Sequence, residues 1–95
     1  NVYPAEIEAE LVQHPAISDA AVIGVEDDKW GEVGAAFIVP APGETLDHEK
    51  VKTWLEERLS RIKLPHEWHV LDELPRSPYG KVEKTKLKRM LNPEC

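Results

Sequence analysis

The 95-residue sequence predicts an α+β fold, a small mixed or antiparallel sheet of about three strands flanked by three helices, on three observations. Two apolar runs rich in β-branched residues, Ala20 to Val25 and Val33 to Val39, are separated by the polar segment Glu26 to Glu32, the pattern of two strands joined by a loop. Other stretches carry apolar residues at helical spacing. No Gly-rich linker, repeat or low-complexity segment divides the chain, so residues 1–95 are expected to form one domain and one compact layer of strands and helices.

Pro4 stands where a helix can begin without losing a hydrogen bond, and Glu6 and Glu8 place negative charge in the first turn, where the helix dipole favours it. Ile7, Leu11 and Val12 supply its apolar face. His14-Pro15 ends it, because the residue before proline is pushed out of the α region. The two strands follow, and Pro40-Ala41-Pro42-Gly43 breaks the chain. Asp47 is the expected N-cap of a second helix, with Leu46 and Val51 placed as a hydrophobic staple. Val51, Trp54, Leu55, Leu59 and Ile62 keep its helical spacing until Leu64-Pro65 stops it. Trp68 to Leu74 reads as the third strand. Leu87, Met90 and Leu91 mark a short final helix with lysines on its other side.

Hydrophobic residues make up 41% of the chain and charged residues 32%, the balance of a globular domain, and no apolar run approaches the roughly 20 residues of a membrane span. The net charge of −6 argues against a nucleic-acid partner. That charge is uneven: residues 1–75 hold 16 acidic and 6 basic side chains, whereas residues 76–90 hold Arg76, Lys81, Lys84, Lys86, Lys88 and Arg89 against Glu83 alone. The basic segment reads either as a solvated helix face or as a local positive field toward a polyanion. Cys95 is the single cysteine, which excludes an internal disulfide and a Cys-based metal cluster and fits a reducing, cytoplasmic compartment. His14, His48, His66 and His69 have no metal-ligand spacing. The opening Asn1, without a methionine, leads to the expectation that the chain is truncated on its N-terminal side.

One segment carries chemistry. In Leu74-Pro75-Arg76-Ser77-Pro78-Tyr79-Gly80-Lys81-Val82, two prolines fix φ and a glycine permits φ > 0, so the backbone is committed to a tight exposed loop that presents Lys81. An ammonium held there can neutralise two anions that must approach each other. Gly80-Lys81-Val82 is not a P-loop, since no glycine lies five residues before Gly80 and no Ser or Thr follows the lysine. A surface lysine with no role is the alternative that spacing alone leaves open.

The same string resembles the last core motif of the adenylate-forming superfamily of acyl-CoA synthetases, peptide-synthetase adenylation domains and luciferases, which reads roughly Leu-Pro-(Lys/Arg)-(Thr/Ser)-x-x-Gly-Lys-(Ile/Val). Asn1-Val2-Tyr3-Pro4-x-Glu6-Ile7-Glu8 resembles the end of an earlier motif of that family, a Gly-rich loop that lines the pantetheine channel. Its glycines and the hinge before them would lie upstream of Asn1. Peptide-synthetase domains usually carry an Arg-Ile-Glu type sequence there, so the match favours coenzyme A ligases. Asp28-Lys29-Trp30-Gly31-Glu32 is similar to the Trp-Gly-Glu between the first two strands of acyl-CoA synthetases, where an aromatic can stack on a purine. Ile62-Lys63-Leu64-Pro65 is similar to a (Tyr/Phe)-Lys-x-Pro segment. It departs from it at Ile62, and at Leu64, where some relatives have an arginine facing coenzyme A.

The resemblance implies that the chain is the mobile C-terminal lid of a carboxylate–CoA ligase that makes acyl-AMP from ATP and a carboxylic acid, then a thioester. It implies a catalytic role for Lys81, cofactor contacts at Asn1, Val2, Trp30, Lys63 and Gly80, and no metal ligand in these residues. ATP, coenzyme A and Mg2+ would be held mainly by an N-terminal large domain, the expected partner, and the fragment alone would be inactive. A domain loading a carrier protein and a freestanding α+β binding domain are the alternatives.

Overall fold

The two long apolar runs are nearly continuous, without polar alternation, because the sheet they form is covered on both faces. The computed structural model describes residues 4–29, 31–59 and 64–91. Its elements are α1 (Pro4–Leu11), β1 (Ile17–Asp27), β2 (Gly31–Pro40), α2 (His48–Glu56), β3 (Glu67–Val70) and α3 (Lys84–Leu91). β2 is central, antiparallel to β1 and parallel to β3, so the sheet is mixed, one of the two arrangements the sequence predicts. Ala20 and Val22 of β1 join Ala36 and Ile38 of β2 on one face, covered by Ile7 and Leu11 of α1 and Val51 and Leu55 of α2. On the other face Ala21, Ile23, Ala35, Phe37 and Val39 pack under Leu74 and Leu87 of α3. Strands buried on both sides have no solvated face to encode, hence the unbroken apolar runs. The expected single layer is therefore three layers, helices lying on either side of the sheet.

Local chemistry places most boundaries. Asp47 caps α2 as expected, its Oδ1 accepting from the Glu49 N–H at 3.0 Å, and Leu46 packs into the same apolar cluster as Val51. α1 ends at Leu11 rather than at His14: the Gln13 and His14 amides donate to the carbonyls three residues back, at 3.0 Å each, and this tightening turns Val12 out to 47% exposure. The first two strands run further than their apolar stretches, since Glu26 pairs with Glu32 and Asp27 with Gly31 at a ribbon end where Glu26 and Glu32 are exposed. β3 is shorter than expected. After Val70 only the Leu71 amide still reaches the sheet, donating to the Ile38 carbonyl at 2.9 Å. In α3 the buried stripe is Leu87 and Leu91, one turn apart, while Met90 is 53% exposed, correcting its assignment to the apolar face. Ile62 lies outside the described residues.

Candidate functional site

The predicted loop is a small hairpin with defined hydrogen bonds. The Gly80 amide donates to the Ser77 carbonyl at 2.9 Å, closing a four-residue turn with Ser77 first, Pro78 second and Gly80 last, the residue preferences of a type I turn. Gly80 then takes φ +83°, a left-handed conformation that lets the chain return as a paired arm. The Ser77 amide donates to the Lys81 carbonyl and the Glu83 amide to the Pro75 carbonyl, both at 2.8 Å, and Arg76 bridges Val82 between them. Lys81 is thus not at the tip, which is Pro78-Tyr79 with Tyr79 96% exposed. It is the first residue of the return arm, its backbone held and its side chain exposed.

The hairpin is tied to the sheet at its base. Leu74 and Val82, flanking it, pack in the apolar cluster under α3. The Arg76 guanidinium donates from Nη1 to the Gly80 carbonyl at 2.7 Å and from Nη2 to Oδ2 of Asp19 on β1. The other carboxylate oxygen of Asp19 accepts from the Ala20 amide at 2.9 Å.

Asp19 was not singled out by the sequence. Its only local signal is a carboxylate at the entry to an apolar strand; its partner lies 57 positions away.

The basic segment is not a uniform positive field. Arg76 is paired with Asp19, Lys84 with Glu8 at 2.9 Å, and Lys86 with Glu83 at 3.1 Å. Lys81 has no ion-pair partner among the described residues and keeps its charge available beside three neighbours whose charge is paired. Glu8, expected only as a partner of the helix dipole, reaches further: its Oε2 also accepts from the Val22 amide on the free edge of β1 at 2.7 Å.

Asn1, Val2, Trp30 and Lys63 lie outside the described residues, so of the candidate positions the structure describes Gly80 and Lys81. Leu64, where some relatives have arginine, is a core residue 9% exposed. The histidines occupy separate settings: His14 meets the Trp54 ring edge-on at 4.9 Å, and His69 stacks on Phe37 at 5.0 Å. Among the described residues no group of three or more His, Cys, Asp or Glu side chains is placed to hold a metal ion, and no helix is long and apolar enough to cross a membrane. The hairpin sits at the end of the sheet where β1 begins. The turn at Asp28 and Lys29 sits at the other, just beyond Asp27, which is about 26 Å along β1 from Asp19 at ~3.3 Å per residue. A cleft at that far end is lined by Val25, Glu26, Asp28, Glu67, His69 and Lys88 among others.

A family model described as the AMP-binding enzyme C-terminal domain matches residues 6–81, ending on Lys81. The chain is 48% identical over 91 residues to the indoleacetate–CoA ligase of Aromatoleum aromaticum, covering 96% of this chain and 18% of that protein. It is 42% identical over 88 residues to a fatty acid–[acyl-carrier-protein] ligase of Streptomyces coeruleorubidus, covering 93% and 17%. The solved structure of a Mycobacterium tuberculosis fatty acyl CoA synthetase superposes with a TM-score of 0.89 at 40% identity, over 98% of this chain and 18% of that one. The chain spans about 18% of the length of the curated relatives it matches.

Proposed function

We propose, because this chain belongs to the AMP-binding enzyme C-terminal domain family, that it is the small mobile domain of a cytoplasmic acyl-CoA synthetase whose larger domain precedes it. The observation that carries this reading is Lys81: an exposed ammonium on a hydrogen-bonded hairpin, without an ion-pair partner among the described residues, in a string that resembles the family's last core motif. In the first half-reaction a carboxylate oxygen attacks the α-phosphorus of ATP, the bond to the bridging β-phosphate oxygen breaks, and pyrophosphate leaves. Both reactants are anions. A fixed cation between carboxylate and α-phosphate lowers their repulsion and aligns them, and Lys81 does this without becoming a nucleophile. In the second half-reaction the coenzyme A thiolate sulfur attacks the acyl carbonyl and AMP departs with the electron pair of the broken C–O bond. For that step the cofactor contacts in this reading are Asn1, Val2, Trp30 and Lys63, while Gly80, beside Lys81 on the hairpin, contacts ATP in the first. Mg2+ accompanies ATP and in this reading belongs to the large domain.

The test is Lys81→Ala in the intact enzyme. ATP–pyrophosphate exchange should fall by about 10²- to 10³-fold, the cost of removing one preorganised electrostatic contact, while thioester formation from supplied acyl-adenylate is retained. Equal loss in both half-reactions would overturn the assignment. The carrier-protein ligase among the relatives favours a second reading, in which the acceptor is a carrier-bound phosphopantetheine. Transfer of the acyl group to a carrier protein but not to free coenzyme A would establish it.

A further inference from the structure

We infer that Arg76, held by Asp19, is the positioning residue that aims Lys81, an inference that rests on the reading of Lys81 above. The argument starts from the peptide bond. The carbonyl of Gly80 and the Cα of Lys81 belong to one planar unit, so fixing that carbonyl fixes the plane from which the Lys81 side chain departs. Arg76 Nη1 donates to this carbonyl at 2.7 Å, and its Nη2 is engaged by Asp19 Oδ2. Asp19 is itself fixed, by its own contact with the Ala20 amide and by a strand position that pairs with Val39 next to an irregularity at Ile17 to Asp19. Bulged positions of this kind are where strands re-aim side chains. The chain of constraint runs from sheet to Asp19, to Arg76, to the Gly80–Lys81 peptide.

Two features favour positioning over a role in stability. The pair is partly solvated, with side chains 42% and 28% exposed for Arg76 and Asp19, and exposed ion pairs contribute little to folding. Both polar ends of the guanidinium are also engaged within the domain, at Gly80 and Asp19, instead of pointing outward as the Lys81 ammonium does. A planar fork can make both contacts at once, which a lysine at the same place cannot.

The experiment uses the intact enzyme and measures ATP–pyrophosphate exchange, thioester formation from supplied acyl-adenylate, and thermal melting. Arg76→Ala should lower exchange by about 10- to 10²-fold, the scale expected for misplacing a catalytic group by an ångström, and leave thioester formation and the melting temperature unchanged. Arg76→Lys should fail to restore exchange. Asp19→Asn should lower it in the same direction, and the Asp19→Asn, Arg76→Ala double variant should match Arg76→Ala alone. In a Lys81→Ala background, Arg76→Ala should add no further loss. A multiplicative loss in that background would overturn the inference by showing that Arg76 acts on substrate directly, and so would a parallel fall of both half-reactions. If Lys81→Ala itself leaves exchange intact, the reading of Lys81 fails first and is identified as the cause.

Discussion

The two ends of the central sheet are built differently, although β1 and β2 run through both. At the end where β1 begins, the chain after β3 is folded back and fastened by paired backbone bonds, by Leu74 and Val82 in the apolar cluster, and by Arg76 on Asp19. At the end where β1 turns into β2, the ribbon runs out with Glu26, Glu32 and Asp28 exposed, beside an acidic cleft. One end offers a cation on a rigid mount, the other a negatively charged rim. About 26 Å separates them at ~3.3 Å per residue, too far for both to serve one reaction centre at once. In the proposed function Lys81 at one end serves the first half-reaction and the turn beside Gly31 at the other serves the second, so that reading requires the domain to rotate between them.

The comparison breaks most severely if the core that joins the ends is lost. Phe37 is fully buried and stacks on His69 midway along the sheet, so Phe37→Ala should destabilise the chain by about 3–5 kcal/mol in denaturant unfolding and disable both ends together. Selective impairment of one half-reaction would show that the ends do not share a common support. A matched pair sharpens the contrast. Gly80 and Gly31 have φ of +83° each and open space where a Cβ would stand, so alanine at either should cost about 1–2 kcal/mol through backbone strain alone. Gly80→Ala is expected to depress adenylate formation only and Gly31→Ala, next to Trp30, thioester formation only; half-reaction assays on both variants check the division. The smallest effect is a control away from both ends: Asp47→Ala removes the cap of α2 and should cost about 1 kcal/mol by the same unfolding measurement, with neither half-reaction altered.

What could be read from the sequence was local. The Asp47 cap, the placing of Leu46 and Val51 in one apolar cluster and the tight loop from Pro75 to Gly80 each depend on residues within a few positions, and each is present as expected. The central strands were legible because burial on two faces leaves a continuous apolar run. The length of β3 was not, since its pairing with β2 is decided by a crossover and not by its own residues. The site divides in the same way. Lys81 was visible as a motif residue, but its mount was not, because Asp19 meets Arg76 only after β1 and the hairpin are folded onto each other. Nor did spacing reveal that Lys84 and Lys86 would be paired with carboxylates while Lys81 has no ion-pair partner among the described residues.

Glu8 carries a consequence for the free edge of the sheet. β1 is an edge strand, and an exposed edge is a template on which another chain can add a strand and begin to aggregate. The Glu8 carboxylate occupies the Val22 amide on that edge and is held there by Lys84. The same ion pair that ties α1 to α3 thus keeps an outward-facing donor of β1 occupied and unavailable to an incoming strand.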